Sequence, residues 1–223
     1  MSPSRTRDLH YELDVVQYSI RARMCGFGDK DRRLLSPPLI VKLEASRSDG
    51  SKLTAAEFDA TRLVLAADLR HADDLADANL VPTTSTLTAR ASESASEGEQ
   101  SPRATNLVGT LHANSHILTN PEGDGKGVYF VLPDLSVRTE GSYRLRLRLL
   151  SIDLASAEAG ITSPVIATTD TNEFHVYGAK KFPGMLEPTP LSRHFAAQGV
   201  RIPVRRTKKP TSRTSAPLES SPS

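Results

Sequence analysis

Residues 143–149 read Tyr-Arg-Leu-Arg-Leu-Arg-Leu, so that Tyr143, Leu145, Leu147 and Leu149 alternate with Arg144, Arg146 and Arg148. A period of two belongs to a β-strand and not to a helix, because successive side chains of a strand point to opposite faces. One face of this segment enters a core and the other presents three guanidiniums to solvent, to neighbouring acids or to a partner. The half-buried sheet needs such alternation in any case, which favours a solvent-facing strand balanced by acids on its neighbours.

Outward from this strand, short apolar runs at Leu39–Leu43, Leu63–Leu69, Val128–Leu132, Val165–Ala167 and Phe174–Tyr177 are separated by Gly, Pro, Asp and Asn clusters. Many short strands punctuated by turns predict an all-β sandwich. The run from Leu13 to Met24 also alternates, but its apolar parity changes between Val15 and Val16. That change predicts a bulge or a strand that crosses between sheets. One helix is expected over 189–198: Thr189 can cap it, Pro190 suits its first position, Leu191 and Phe195 share a face, and Gly199 can end it. Beyond it, Val200, Ile202 and Val204 alternate with Arg201, Pro203 and Arg205, as in a closing edge strand, where Pro203 is tolerated.

The chain has 223 residues, enough for one domain with a true core, and its hydrophobic share of 38% is low. Part of it therefore cannot repay its ordering entropy. Residues 82–106, rich in Ser, Thr, Glu and Ala, are expected to be a disordered insertion, and residues 207–223 a disordered basic, Ser/Pro-rich tail. The domain is thus expected over 8–206. Cys25 is the sole cysteine, so an internal disulfide is impossible and a reducing compartment is expected. The N-terminus lacks an apolar stretch and no long apolar run occurs, which predicts a soluble protein with neither signal peptide nor transmembrane span.

The net charge is only +2, but it is unevenly spread. Arg21, Arg23, Lys30, Arg32 and Arg33 surround the turn Cys25-Gly-Phe-Gly28, where the glycines permit positive φ and alternation places Arg21 and Arg23 on one face. Such a loop can grip phosphate or read guanine. Interleaved Asp29 and Asp31 leave open a plain solvated face. Lys180 and Lys181 follow a strand end, either as backbone-phosphate contacts or as an exposed corner. Arg205, Arg206, Lys208 and Lys209 form a separate cluster suited to nuclear import. Cys25 is read as a small buried cysteine, with an activated thiol as the alternative.

No catalytic constellation is present. The six histidines, among them His112 and His116 at i and i+4, form no HExxH pair and have no cysteine companions, and Gly109 and Asn114 speak against a helix there. Gly26 and Gly28 lack the rest of a nucleotide-binding motif. No enzyme, metal or cofactor is expected.

Three stretches, IRARMCGFGDKDRR (20–33), FVLPDLSVRTEGSYRLR (130–146) and AKKFPGM (179–185) followed by TPL (189–191) and QGVRIP (198–203), resemble the velvet family of fungal regulators in order and spacing. The resemblance implies an immunoglobulin-like, Rel-homology-like fold that contacts double-stranded DNA through loops at one end. It further implies homodimers or heterodimers with other velvet proteins, and a role in transcriptional regulation of development, sporulation and secondary metabolism in nucleus and cytoplasm. Arg21, Arg23, Lys30, Arg32, Arg33, Lys180 and Lys181 then become the DNA-contacting set. The alternative is a scaffold subunit that pairs with another velvet chain, or with a methyltransferase-like regulator, while the partner supplies the DNA contacts.

Overall fold

The computed structural model describes residues 9–28, 32–83, 103–152 and 163–203. Its strands are β1 (Leu9–Gln17), β2 (Arg21–Arg23), β3 (Leu39–Arg47), β4 (Lys52–Leu53), β5 (Leu63–His71), β6 (Leu80–Pro82), β7 (Arg103–Thr105), β8 (Leu107–Val108), β9 (His112–Thr119), β10 (Lys126–Leu132), β11 (Ser136–Val137), β12 (Gly141–Ser151), β13 (Val165–Asp170) and β14 (Phe174–Tyr177). The helix α1 spans Pro190–Ala197.

The strands build an all-β sandwich whose two layers share one strand. The first layer runs β1-β3-β10-β9, with β4 beside β3, and the second runs β9-β5-β12-β14-β2, with β13 beside the later half of β12. β9 serves both: Ala113 and Asn114 pair with Leu65 and Val64, whereas Ser115 to Thr119 pair with Phe130 to Lys126. Between the layers, Leu13, Val15, Val41, Val128 and Phe130 meet Leu65, Leu69, Leu145, Leu147, Phe174 and Val176 in one core.

The expected alternation of 143–149 is present, with Tyr143, Leu145, Leu147 and Leu149 buried. Its polar face is answered by the neighbouring strands. Arg146 Nε and Nη2 donate to the two Asp170 carboxylate oxygens at 2.9 Å each. Arg148 Nη2 lies 2.7 Å from Asp68 Oδ2, and Arg144 Nη1 donates to the Thr171 carbonyl at 3.1 Å. These arginines belong to the sheet.

The parity change at Val15 and Val16 has a double consequence. The β1–β3 register slips between Val15 and Gln17, the mark of a bulge. Past it the chain leaves the first layer, and residues 21–23 join the second as the parallel neighbour of β14. One extra residue thus reverses which face the following side chains occupy and turns the chain toward the other sheet.

β10 is buried on both faces, which is why its sequence is a continuous apolar run instead of an alternation. Val128, Phe130 and Leu132 point into the main core, while Tyr129 and Val131 join Ile40, Leu118, Phe195 and Val200 in a second cluster outside the sheet. α1 covers that outer face. Thr189 caps it by accepting the Ser192 N–H at 3.0 Å, an interaction worth about 1 kcal/mol. Gln17, buried at the end of β1, ties the helix to the sheet: its Oε1 accepts from Thr189 Oγ1 at 2.5 Å, and its Nε2 donates to the Pro38 carbonyl at 2.7 Å and to Ser192 Oγ at 3.0 Å. Phe195 is fully buried against Tyr129, with ring centroids 4.6 Å apart.

Two expectations fail, each for a local reason. Residues 200–203 form no strand. The Val200 N–H is spent on the Phe195 carbonyl at 3.2 Å and the Gly199 N–H on Ala196 at 3.1 Å, a Schellman stop with Gly199 at φ +95° and Val200 packed on Phe195. The alternation of Val200 and Ile202 therefore reflects packing onto the outer cluster, not a ladder. The Ser/Thr-rich segment 82–106 also departs from expectation at its two ends. β6 pairs with β7, Leu80 opposite Thr105 and Pro82 opposite Arg103, and Asn106 is completely buried. Residues 84–102 of that segment and the tail 207–223 lie outside the described residues.

Candidate nucleic-acid interface

Because β2 and β14 run parallel, with Arg21 opposite His175, Ala22 opposite Val176 and Arg23 opposite Tyr177, both strands end at the same edge of the sandwich. Ala22 and Val176 are fully buried, so Arg21 and Arg23 share the outer face, as alternation predicts. The chain leaving β2 is then held by its backbone. Met24 N donates to Tyr177 O at 2.9 Å, Cys25 N to Val137 O at 3.0 Å and Gly26 N to Arg138 O at 3.1 Å. Gly26 adopts φ +60°, which an L side chain would take only with strain. Gly28, the second glycine expected at positive φ, does not adopt it.

The chain leaving β14 turns at once, Lys181 N donating to Gly178 O at 3.0 Å. Lys180 and Lys181 therefore project beside the loop that follows Arg23, and both are exposed. Glu140 lies beside Lys181, with its Oε1 3.8 Å from Lys181 Nζ. The rings of His175, Tyr177 and Phe182 meet along this edge, the first pair edge-to-face and the second tilted, with centroid separations of 4.4 and 6.3 Å.

Arg32 and Arg33 reach the same region through another neighbour. The stretch 32–36 runs alongside β2 and the approach to β11, with Ser36 bridged to Arg21 and Leu35 N donating to Leu135 O at 2.8 Å. Arg32 Nη2 donates to the carbonyls of Asp134 at 2.5 Å and Val108 at 3.4 Å. Gly109 permits this approach: a Cβ there would collide with the Asp134 oxygen and stand 2.8 Å from Arg32 Nη2. Part of the Arg32 fork is thus committed to the fold. Arg33 lines a hollow of about 310 Å³ with Met185 and Leu186. Lys30, with Asp29 and Asp31, lies outside the described residues, as does the cluster Arg205, Arg206, Lys208 and Lys209.

Sequence reasoning missed Arg138. It sits inside the motif 130–146, yet neither charge runs nor alternation single it out. In the fold it follows β11 and binds two other segments, Nε donating to Thr105 O and Nη1 to Gly26 O, both at 2.8 Å. Its guanidinium also lies over the Phe27 ring, 5.6 Å from the centroid. Asn106 secures the same corner, its Oδ1 accepting from Arg138 N, Thr139 N and Thr139 Oγ1 at 3.0 to 3.2 Å.

Cys25, half-buried in this loop, does not have the character of an activated thiol. Burial pushes its pKa up, and the Arg138 and Arg32 charges oppose this only in part. His112 and His116 lie on β9, at the surface of the sheet and not on a helix. The edge of the sandwich thus collects Arg21, Arg23, Arg138, Lys180 and Lys181 around a backbone-fixed loop, with the Glu140 carboxylate beside Lys181. Cations presented by rigid elements suit a polyanion, and guanidiniums can take phosphates or base edges.

A family model described as Velvet factor matches residues 11–209. The Velvet complex subunit umv2 of Mycosarcoma maydis is 33% identical over 284 aligned positions, covering 89% of this chain and 60% of that protein. The alignment is longer than the chain, so that relative carries inserted residues. The Velvet complex subunit RYP3 of Ajellomyces capsulatus is 33% identical, covering 88% of this chain and 78% of its own length. The Sexual development regulator VELC of Pyricularia oryzae is 33% identical over 88% of this chain and 41% of that protein. The chain therefore spans between two fifths and four fifths of these relatives.

Proposed function

As this chain belongs to the velvet factor family, we propose that it is a regulatory DNA-binding protein that works as a dimer, with itself or with a second velvet chain, and contacts double-stranded DNA through the loop end of the sandwich. The observation that carries this reading is the parallel pairing of β2 with β14, which brings Arg21 and Arg23 to the same edge as Lys180 and Lys181, residues far apart in sequence. The relatives named velvet complex subunits support pairing with another velvet protein, and the relative named a sexual development regulator supports a role in fungal development. Sporulation and secondary metabolism are the processes that the family resemblance adds.

Purified protein incubated with a pool of random duplexes should enrich a sequence motif, and Arg21→Ala/Arg23→Ala protein with an unchanged melting temperature should lose that enrichment. Arg32 is left intact in this test because it holds the Asp134 and Val108 carbonyls. Absence of enrichment by the wild type sinks the reading for the homodimer. Enrichment that appears only with a second velvet chain, and survives the double substitution, assigns the DNA contacts to the partner and makes this chain a scaffold. Entry into the nucleus from the cytoplasm is assigned to Arg205, Arg206, Lys208 and Lys209: a reporter fused to residues 201–213 should accumulate in nuclei, and one that stays cytoplasmic removes the assignment.

A further inference from the structure

We infer that Arg138 and Phe27 act as one unit at this end of the sandwich, Arg138 as a positioning residue that fixes the loop and Phe27 as the apolar contact that the loop presents to a base or sugar. The inference rests on the nucleic-acid reading above.

Arg138 holds Gly26 from both sides. Its carbonyl accepts the Gly26 N–H at 3.1 Å and its Nη1 donates to the Gly26 carbonyl at 2.8 Å, so the peptide on each side of Gly26 is fixed by one residue. Its Nε reaches the Thr105 carbonyl at 2.8 Å, which ties the same loop to the β6–β7 hairpin. Its own N–H is taken by Asn106, whose carbonyl lies 3.0 Å away. The guanidinium is therefore oriented by hydrogen bonds in its plane, and the flat face that remains lies on Phe27.

Phe27 is 39% exposed even so. A scattered surface apolar residue needs no explanation. Here, however, the fold devotes a buried asparagine, an arginine and a positive-φ glycine to holding one aromatic ring partly in solvent, in the loop that follows Arg23. Apolar side chains on a cationic edge contact the thymine methyl group or the face of a base or sugar, and they add discrimination without adding charge. The Nε and Nη1 donors that Arg138 spends on the Thr105 and Gly26 carbonyls are, in contrast, not offered to a phosphate.

Single and double substitutions in the full chain, titrated with a fluorescent duplex carrying the enriched motif, separate these roles. Phe27→Ala should weaken binding about tenfold while leaving the slope of log K against log salt unchanged, because every phosphate stays neutralised. Arg138→Ala should weaken it at least as much, again with little change in slope, and the Phe27→Ala/Arg138→Ala protein should bind no worse than the weaker single variant. Cys25, the sole cysteine, reports on the loop directly: its rate of modification by a thiol reagent should rise in Arg138→Ala and stay near wild type in Phe27→Ala. Arg138→Lys retains charge without the planar fork and should restore neither affinity nor protection. Thermal melting of each variant identifies any that fails to fold, and Arg138→Lys serves if Arg138→Ala does. Wild-type affinity in Phe27→Ala overturns the contact. Additive losses overturn the unit, and so does full rescue by lysine. A slope reduced by about 0.9 in Arg138→Ala makes Arg138 a phosphate ligand instead. If the wild type binds no duplex, the underlying functional reading fails and the Phe27 contact with it, while the Cys25 rates still decide whether Arg138 fixes the loop.

Discussion

Two sets of arginines in this protein have the same sequence pattern and different surroundings. On β12, Arg144, Arg146 and Arg148 alternate with buried leucines, and on β2, Arg21 and Arg23 flank the buried Ala22. Asp170 and Asp68 answer Arg146 and Arg148 on the adjacent strands. Arg21 faces His175 across the ladder, and its Nε is buried with no hydrogen-bond partner among the described residues. Arg21 and Arg146 thus differ in whether the neighbouring strand answers them with a carboxylate. That is a property of the sheet order, which local sequence does not encode.

The sharpest way to break this contrast is to remove each set in turn. Arg21→Ala/Arg23→Ala should lower duplex affinity about a hundredfold or more and reduce the salt slope by roughly 0.9 for each phosphate no longer neutralised, measured by fluorescence anisotropy over a salt series. Arg146→Met/Arg148→Met should leave affinity and slope unchanged, and a comparable weakening there would show that the paired arginines also reach DNA. A smaller effect is expected on stability. Asp68→Ala leaves Arg148 without its carboxylate and should cost about 1 kcal/mol in urea unfolding, limited because both side chains are partly in solvent.

The core was readable because its signals are local. Alternation at 143–149, the parity change at Val15 and Val16, and the capped helix each translate a short window into geometry. The hairpin of β6 and β7 escaped because it buries little: Leu80 is 55% exposed, and Val81 and Ala104 are only partly covered. Composition detects buried apolar area, and here there is almost none. Arg138 escaped for a different reason. Its partners are the carbonyls of Thr105 and Gly26, main-chain atoms that every residue possesses and that no motif can mark. The expected edge strand at 200–204 shows the converse error, since the Gly199 stop lends Val200 and Ile202 an alternation with no ladder behind it.

Two weaker effects sharpen the contrast further. Glu140 lies 3.8 Å from Lys181 at the β2–β14 edge, so Glu140→Gln should raise duplex affinity about two- to threefold, an advantage that vanishes at high salt; unchanged affinity would place Lys181 outside the contact surface. The smallest effect concerns acid. The Arg146 fork holds the Asp170 carboxyl below the ordinary carboxylate range, so the pair stabilises the fold above about pH 4 and that contribution fades as pH falls through the folded value. The stability difference between wild type and Arg146→Met should be small and level from about pH 5 to 7, and close below about pH 4. A gap that widens in acid would contradict the pairing.

The pairing of β2 with β14 also bears on how the molecule is made. Residues 21–23 leave the ribosome about 150 residues ahead of the strand beside which they must lie, 174–177. Closing so long a loop costs entropy before any contact repays it. β1 finds β3 across a short connection, whereas the β2–β14 edge is completed only after Tyr177 appears. A nascent chain can therefore pair β1 with β3 and still lack the edge that gathers Arg21, Arg23, Lys180 and Lys181.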